Sequence, residues 1–121
     1  MNEDNSKFLK ENYPELYEKP ISFECDDGWF DLINELSKEL ESLIIRLKIT
    51  YPNENFFPYA TQVKEKFGTL RFYLSSETDE MSNLIEKYEI KSEKICEICG
   101  KEGLLDTKAY WYVVRCQKHW E

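Results

Sequence analysis

Apolar residues recur at intervals of three and four between Trp29 and Leu47. Trp29, Phe30, Leu32, Ile33, Leu36, Leu40, Leu43, Ile44 and Leu47 form one stripe, which marks an amphipathic helix with a single buried face. The stripe predicts a long helix over 28–49. Asp26 or Asp27 stands where a carboxylate can accept from the first free backbone N–H groups and favour the positive end of the helix dipole. Pro52 and Pro58 bracket the loop that follows. Upstream, residues 1–20 carry a shorter helical pattern interrupted by Pro14, and "PISFECDDGWF" reads as a connector or edge strand.

The period then changes from helical to alternating. Val63, Glu65 and Phe67 alternate with Gln62, Lys64 and Lys66, and beyond Gly68 Leu70, Phe72 and Leu74 alternate with Thr69, Arg71 and Tyr73. Two strands meeting near Gly68 predict a β-hairpin over 59–75, with its apolar face on the long helix. A second helical stripe follows over 78–93: Thr78 is placed to cap it, and Met81, Leu84, Ile85 and Tyr88 face inward. "AYWYVVR", residues 109–115, is strand-like. The pattern predicts an α+β core over 1–93, with a small antiparallel sheet packed on two amphipathic helices. A β module over 94–121, ribbon-like or treble-clef-like, closes the chain.

That last module carries the clearest chemistry. "CEIC" and "CQKH" place Cys96, Cys99, Cys116 and His119 in a C-x2-C-x16-C-x2-H pattern. A two-residue spacer lets each pair bite one tetrahedral cation, and thiolate with imidazole selects zinc over oxygen-loving ions. Gly100 supplies the unusual backbone angle that often follows the second cysteine. Four protein ligands close a tetrahedral shell and leave no position for a catalytic water. The zinc is therefore expected to be structural, stabilising a module with little core of its own. His119 is the only histidine; once it is a ligand, no imidazole remains as a general base. Cys25 has no histidine to activate it and three acidic neighbours, Glu24, Asp26 and Asp27, that raise a thiol's pKa. It reads as inert, and no catalytic residue is assigned. The acidic pairs Asp26/Asp27 and Asp79/Glu80 read as helix caps.

Charge narrows the partners. Residues 1–60 carry thirteen acidic and six basic side chains, and residues 61–121 carry eleven and ten, giving −8 in all. Such a chain gains little from the counterion release that drives broad nucleic-acid binding. No run of eighteen apolar residues exists, and the polar, acidic start "MNEDNSKFLK" is unlike a signal peptide. A cytoplasmic protein with reduced cysteines is expected. Within this acidic chain, "VKEKFGTLRFY" is locally basic. Strand alternation puts Lys64, Lys66, Arg71 and Tyr73 on one face, where they either bind an anion such as a phosphate or carboxylate, or form an ordinary solvent-facing sheet surface. Three tryptophans, eight tyrosines and seven phenylalanines exceed the needs of a small core. Exposed aromatics favour recognition surfaces or a dimer interface, while Trp111 and Trp120 can instead shield the metal.

"GWFDLINELSKEL", "QVKEKFGTLRFY" and "CEICG…RCQKHW", in that order, resemble a family of short uncharacterised proteins of bacteria and their phages. The resemblance spans about residues 25–120. It implies an accessory protein with a C-terminal zinc knuckle and carries no assigned reaction. From these features the chain is expected to be a non-enzymatic binding protein, acting on a host protein partner through acidic and aromatic surface. The alternative is a protein that sequesters a small anionic ligand, such as a nucleotide, on the basic hairpin face.

Overall fold

The computed structural model describes residues 1–106 and 113–116. Helix α1 spans Glu3–Asn12, and Asn2 caps it by accepting from the Asn5 N–H at 2.8 Å. Pro14 lies just beyond its end, and the turn over 14–17 brings Leu16 and Tyr17 into the core. Strand β1 is Phe23–Glu24. Helix α2 is Phe30–Thr50 and buries Leu32, Ile33, Leu36, Leu40 and Ile44. Strands β2 (Ala60–Lys66) and β3 (Thr69–Leu74) form the expected hairpin, and helix α3 is Asp79–Ser92. A separate ribbon pairs β4 (Leu104–Asp106) with β5 (Val113–Arg115) in antiparallel register. Residues 109–112 of the expected last strand lie outside the described residues.

The fold is α+β, but its sheet is mixed rather than antiparallel. Strand β1 pairs parallel with β2, in the order β1-β2-β3. Parallel neighbours need a long crossover, and α2 is that crossover. The register aligns Phe23, Val63 and Phe72 in one row, all buried. The adjacent row on the opposite face aligns Glu24, Lys64 and Arg71.

Two further expectations need correction. Neither Asp26 nor Asp27 caps α2, whose N-cap is Trp29 at the end of a 3-10 turn, Asp27–Trp29. Asp27 instead accepts from the Asn2 N–H at 2.8 Å and the Asn5 amide at 3.1 Å, tying α2's entry to α1. These bonds, the backbone one foremost, hold its carboxyl below the usual range. Phe67 is not part of the apolar face. It sits with Gly68 at the hairpin tip, both with positive φ (54° and 82°), and it is 57% exposed. That is the type I′ geometry whose twist matches the strands it joins.

Polar groups inside the fold are satisfied across long sequence separations. Glu41 of α2 is buried, and its carboxylate accepts from the backbone N–H groups of Glu15 and Leu16. Tyr17 and Ser37 share a buried hydroxyl pair. Helix α3 seals the free edge of β3: Ser92 Oγ accepts from the Leu70 N–H at 2.9 Å, and Glu89 accepts from the Phe72 N–H at 3.0 Å. A bare strand edge invites pairing with another chain, so α3 both packs and protects. No described helix is long and apolar enough to cross a membrane.

Candidate metal centre and the basic hairpin face

The chain leaves α3 at Ser92 and folds into a narrow knuckle. The Gly103 N–H donates to Lys94 O, Ile95 bridges Glu102, and the Cys96 N–H donates to Lys101 O at 2.7 Å. The Gly100 N–H closes the tip on Cys96 O at 2.8 Å, with Gly100 at φ 79°. This turn points Cys96 and Cys99 the same way. Strand β5 then delivers Cys116 beside them.

The Sγ atoms of Cys96, Cys99 and Cys116 all lie within 4.8 Å of one another. Metal–thiolate bonds of about 2.3 Å in a tetrahedron require sulfurs about 3.8 Å apart, so three thiolates fit one ion with little movement. Cys99 and Cys116 are 3.5 Å apart, far beyond the ~2.05 Å of a disulfide. None of the four cysteines is in a disulfide. Cys96 and Cys116 are buried while Cys99 is exposed, so the site is reached from one side. Three of the four expected ligands are brought together; His119, like Trp111 and Trp120, lies outside the described residues.

The knuckle does not hang from the core but is docked on it, through the turn that leads into α2. Gly28 donates its N–H to Glu97 O at 2.6 Å, the Asp26 N–H donates to the Glu97 carboxylate at 3.0 Å, and the Trp29 indole donates to Ile95 O at 2.9 Å. Trp29 itself is fully buried. A side chain on Gly28 would meet Cys96 O at 2.2 Å and Glu97 O at 2.3 Å. Glycine is required there by close approach of two backbones. The Gly-Trp pair ahead of a helical stripe was the available signal, but its partner lies about seventy residues away.

Cys25 stays apart from the metal group. It is buried, and its thiol is pushed up to about 12, first by burial and then by the charges of Glu97, Asp26 and Asp27, against the pull of the N-terminal ammonium. The ammonium donates to the Cys25 carbonyl. A thiol held neutral in this way is a poor nucleophile.

On the hairpin, Lys64 and Arg71 are directly opposite each other, Gln62 faces Tyr73, and Lys66 faces Thr69. Lys64, Lys66, Arg71 and Tyr73 therefore share the outer face. Glu24 completes the Lys64–Arg71 row from β1, and Glu89 at the β3 edge feels the Arg71 charge. The basic residues are thus flanked by acids. Comparison of the chain with protein-family models, with curated proteins and with solved structures finds no significant match.

Proposed function

We propose that this is a non-enzymatic binding protein, zinc-clamped at its C-terminus, that acts on a protein partner, in the phage-type setting a host protein. In this reading one zinc ion joins Cys96, Cys99 and Cys116 with His119 as the fourth ligand, and its role is to hold the knuckle against the Gly28–Trp29 turn. The thiol trio supports the metal, and the soft ligand chemistry favours zinc.

One surface feature carries the choice of a protein partner. At the C-terminal end of α2, Ile49, Tyr51 and Phe56 are 74%, 55% and 92% exposed. Tyr51, Phe56, Phe57 and Pro58 line a cavity of about 300 Å³ that Glu54 and Glu77 rim. Clustered exposed aromatics are costly to keep in water and mark interaction sites. A photo-crosslinking phenylalanine analogue placed at Phe56 should capture one stoichiometric host protein, and Ile49→Asp should abolish the capture. Failure of both positions to register any partner defeats the reading. Elemental analysis should give one zinc per chain, lost on His119→Ala.

A second reading has its own observation. Like charges directly opposite on a sheet, such as Lys64 and Arg71, repel, and an anion over the pair would relieve this, although Glu24 already does so in part. A thermal-shift screen with nucleotides should then show a rise in melting temperature that Arg71→Ala removes; no rise with any anion ends this alternative.

A further inference from the structure

The aromatic cavity is one end of a longer groove between α2 and α3. Beside it, a second cavity of about 300 Å³ shares Leu47, Tyr51 and Thr78 with it and continues to Leu43 and Met81. A third, of about 550 Å³, shares Leu43, Arg46 and Glu80 with the second and runs on to Lys38, Leu84 and Lys87. Leu43, Leu47 and Leu84 form a half-buried apolar floor on the core. Along α2 the groove runs from Lys38 to Tyr51, thirteen residues on, or about 20 Å at 1.5 Å per residue.

The charges along this floor are sorted. In the middle, Arg46 and Glu80 pair at 3.7 Å. At the far end Lys38 and Lys87 stand with one exposed acid, Glu39, which accepts from the Tyr88 hydroxyl, so that end is net cationic. At the aromatic end the exposed charges are Glu54 and Glu77. An apolar trough with a cationic end and an anionic end specifies both the shape and the direction of what fills it. A helix of about thirteen residues matches its length. Helices stabilise acids in their first turn and bases in their last, which is the polarity the groove complements.

We propose that the α2–α3 groove seats an amphipathic helix of the partner protein, parallel to α2, with its acidic N-terminal turn at Lys38 and Lys87 and its basic C-terminal turn at Glu54 and Glu77. Apolar anchors at i, i+3 or i+4, and i+7 lie on Leu43, Leu47 and Leu84. The inference rests on the protein-partner reading and adds the secondary structure, direction and charge pattern of the bound segment.

The test is selection of a displayed library of random 16-residue peptides on the full, zinc-loaded chain, followed by fluorescence polarisation of the enriched peptides. Enriched sequences should carry an amphipathic stripe, acidic toward the N-terminus and basic toward the C-terminus. Their affinity should fall at least tenfold on Lys38→Glu/Lys87→Glu, two exposed changes that leave the core intact. It should fall further on Leu84→Asp, with folding checked by circular dichroism. The charge-reversed twin of a selected peptide should bind weakly to the wild type and recover on the quadruple variant Lys38→Glu/Lys87→Glu/Glu54→Lys/Glu77→Lys. Absence of enrichment, equal binding of the reversed twin, or indifference to Leu84→Asp overturns the proposal. So does a concentration-dependent dimer in sedimentation that Leu84→Asp dissolves, since the occupant would then be a second copy. Crosslinking at Phe56 without any helical peptide selected would sink the helix and leave the protein-partner reading standing.

Discussion

Gly28 and Gly100 meet face to face where the knuckle docks on the core: a Cβ added to Gly100 would stand 2.9 Å from the Gly28 carbonyl oxygen, and one added to Gly28 would strike the Cys96 and Glu97 carbonyls. The two glycines have different reasons to be glycine. Gly100 needs its positive φ of 79° to close the turn behind Cys99. Gly28 needs only the space. Together they let the metal knuckle lie flat on the turn that starts α2.

Gly28→Ala is accordingly the most disruptive single methyl that can be added here. The obstructing atoms are backbone, which cannot rotate away, and the Gly28–Glu97 and Trp29–Ile95 hydrogen bonds are lost with the contact. Overpacking of this kind costs about 3 kcal/mol. Denaturant unfolding should show that loss, together with faster zinc transfer to a chelator. Unchanged zinc release would mean that docking and metal retention are independent.

Metal removal supplies a second test. Cys96→Ser, Cys99→Ser and Cys116→Ser should each drop bound metal well below one per chain, because all three thiols surround one point. Cys25→Ser should leave the stoichiometry intact, since that thiol is buried away from the group and held neutral. Chelation should lower the melting temperature, as binding free energy is also folding free energy in such sites. A chelated protein with unaltered melting would remove the metal from the fold.

The contrast between these sites shows what local patterning can reveal. The α2 stripe, the hairpin alternation and the cysteine spacing are short-range signals, and each corresponds to an element at nearly the expected place. What escaped depends on pairs far apart in sequence. Strand β1 falls in the segment that reads as a connector or edge strand and does lie at the sheet edge, but its parallel pairing exists only because α2 returns the chain to Val63. Glu41 is one of four acids on α2, and it is buried because the turn after Pro14 presents two N–H groups to it. The Gly28–Trp29 pair marks a special turn locally, but Cys96 and Glu97, which press against it, lie about seventy residues away. The α2–α3 groove likewise arises from two helices whose stripes were each legible but whose crossing was not.

The edge seal on β3 makes a pH-dependent prediction. Glu89 is half-buried, and its carboxyl is raised above the ordinary value of 4.5, first by burial, against the Phe72 N–H and Arg71, with Glu77 and Glu86 adding to the rise. The folded state therefore holds this proton more tightly than the unfolded chain does. The associated stability is fully present below the unfolded value and is lost as pH rises through the raised folded value. Glu89→Gln keeps an acceptor for the Phe72 N–H and removes the charge. It should flatten this part of the stability–pH curve above pH 4.5. Ser92→Ala, by contrast, strands the buried Leu70 N–H and should cost roughly 1–3 kcal/mol at every pH. A Glu89→Gln curve that parallels the wild type would show that Glu89 is not the titrating group.

Among the described residues, Phe67 is the one most at odds with its own backbone. A non-glycine residue in the left-handed region costs about 1–2 kcal/mol, and at the first position of a type I′ turn asparagine is preferred. Phe67 nevertheless occupies that position with φ 54°, its ring exposed and the Lys66 ammonium 5.5 Å from the ring centroid. A cation–π contact at an exposed site returns only about 0.5–1 kcal/mol, less than or comparable to the strain. Phe67→Asn should therefore raise stability, by about 1 kcal/mol, seen as a higher denaturant midpoint with unchanged slope. Phe67→Ala should not, because it removes the ring and keeps the backbone penalty. If Phe67→Asn instead destabilises the protein, the ring contributes packing that outweighs its strained backbone, and the tip is structural. If it stabilises while partner capture is lost, the aromatic at the tip is held at a cost in stability for recognition, as locally unfavourable residues at binding sites often are.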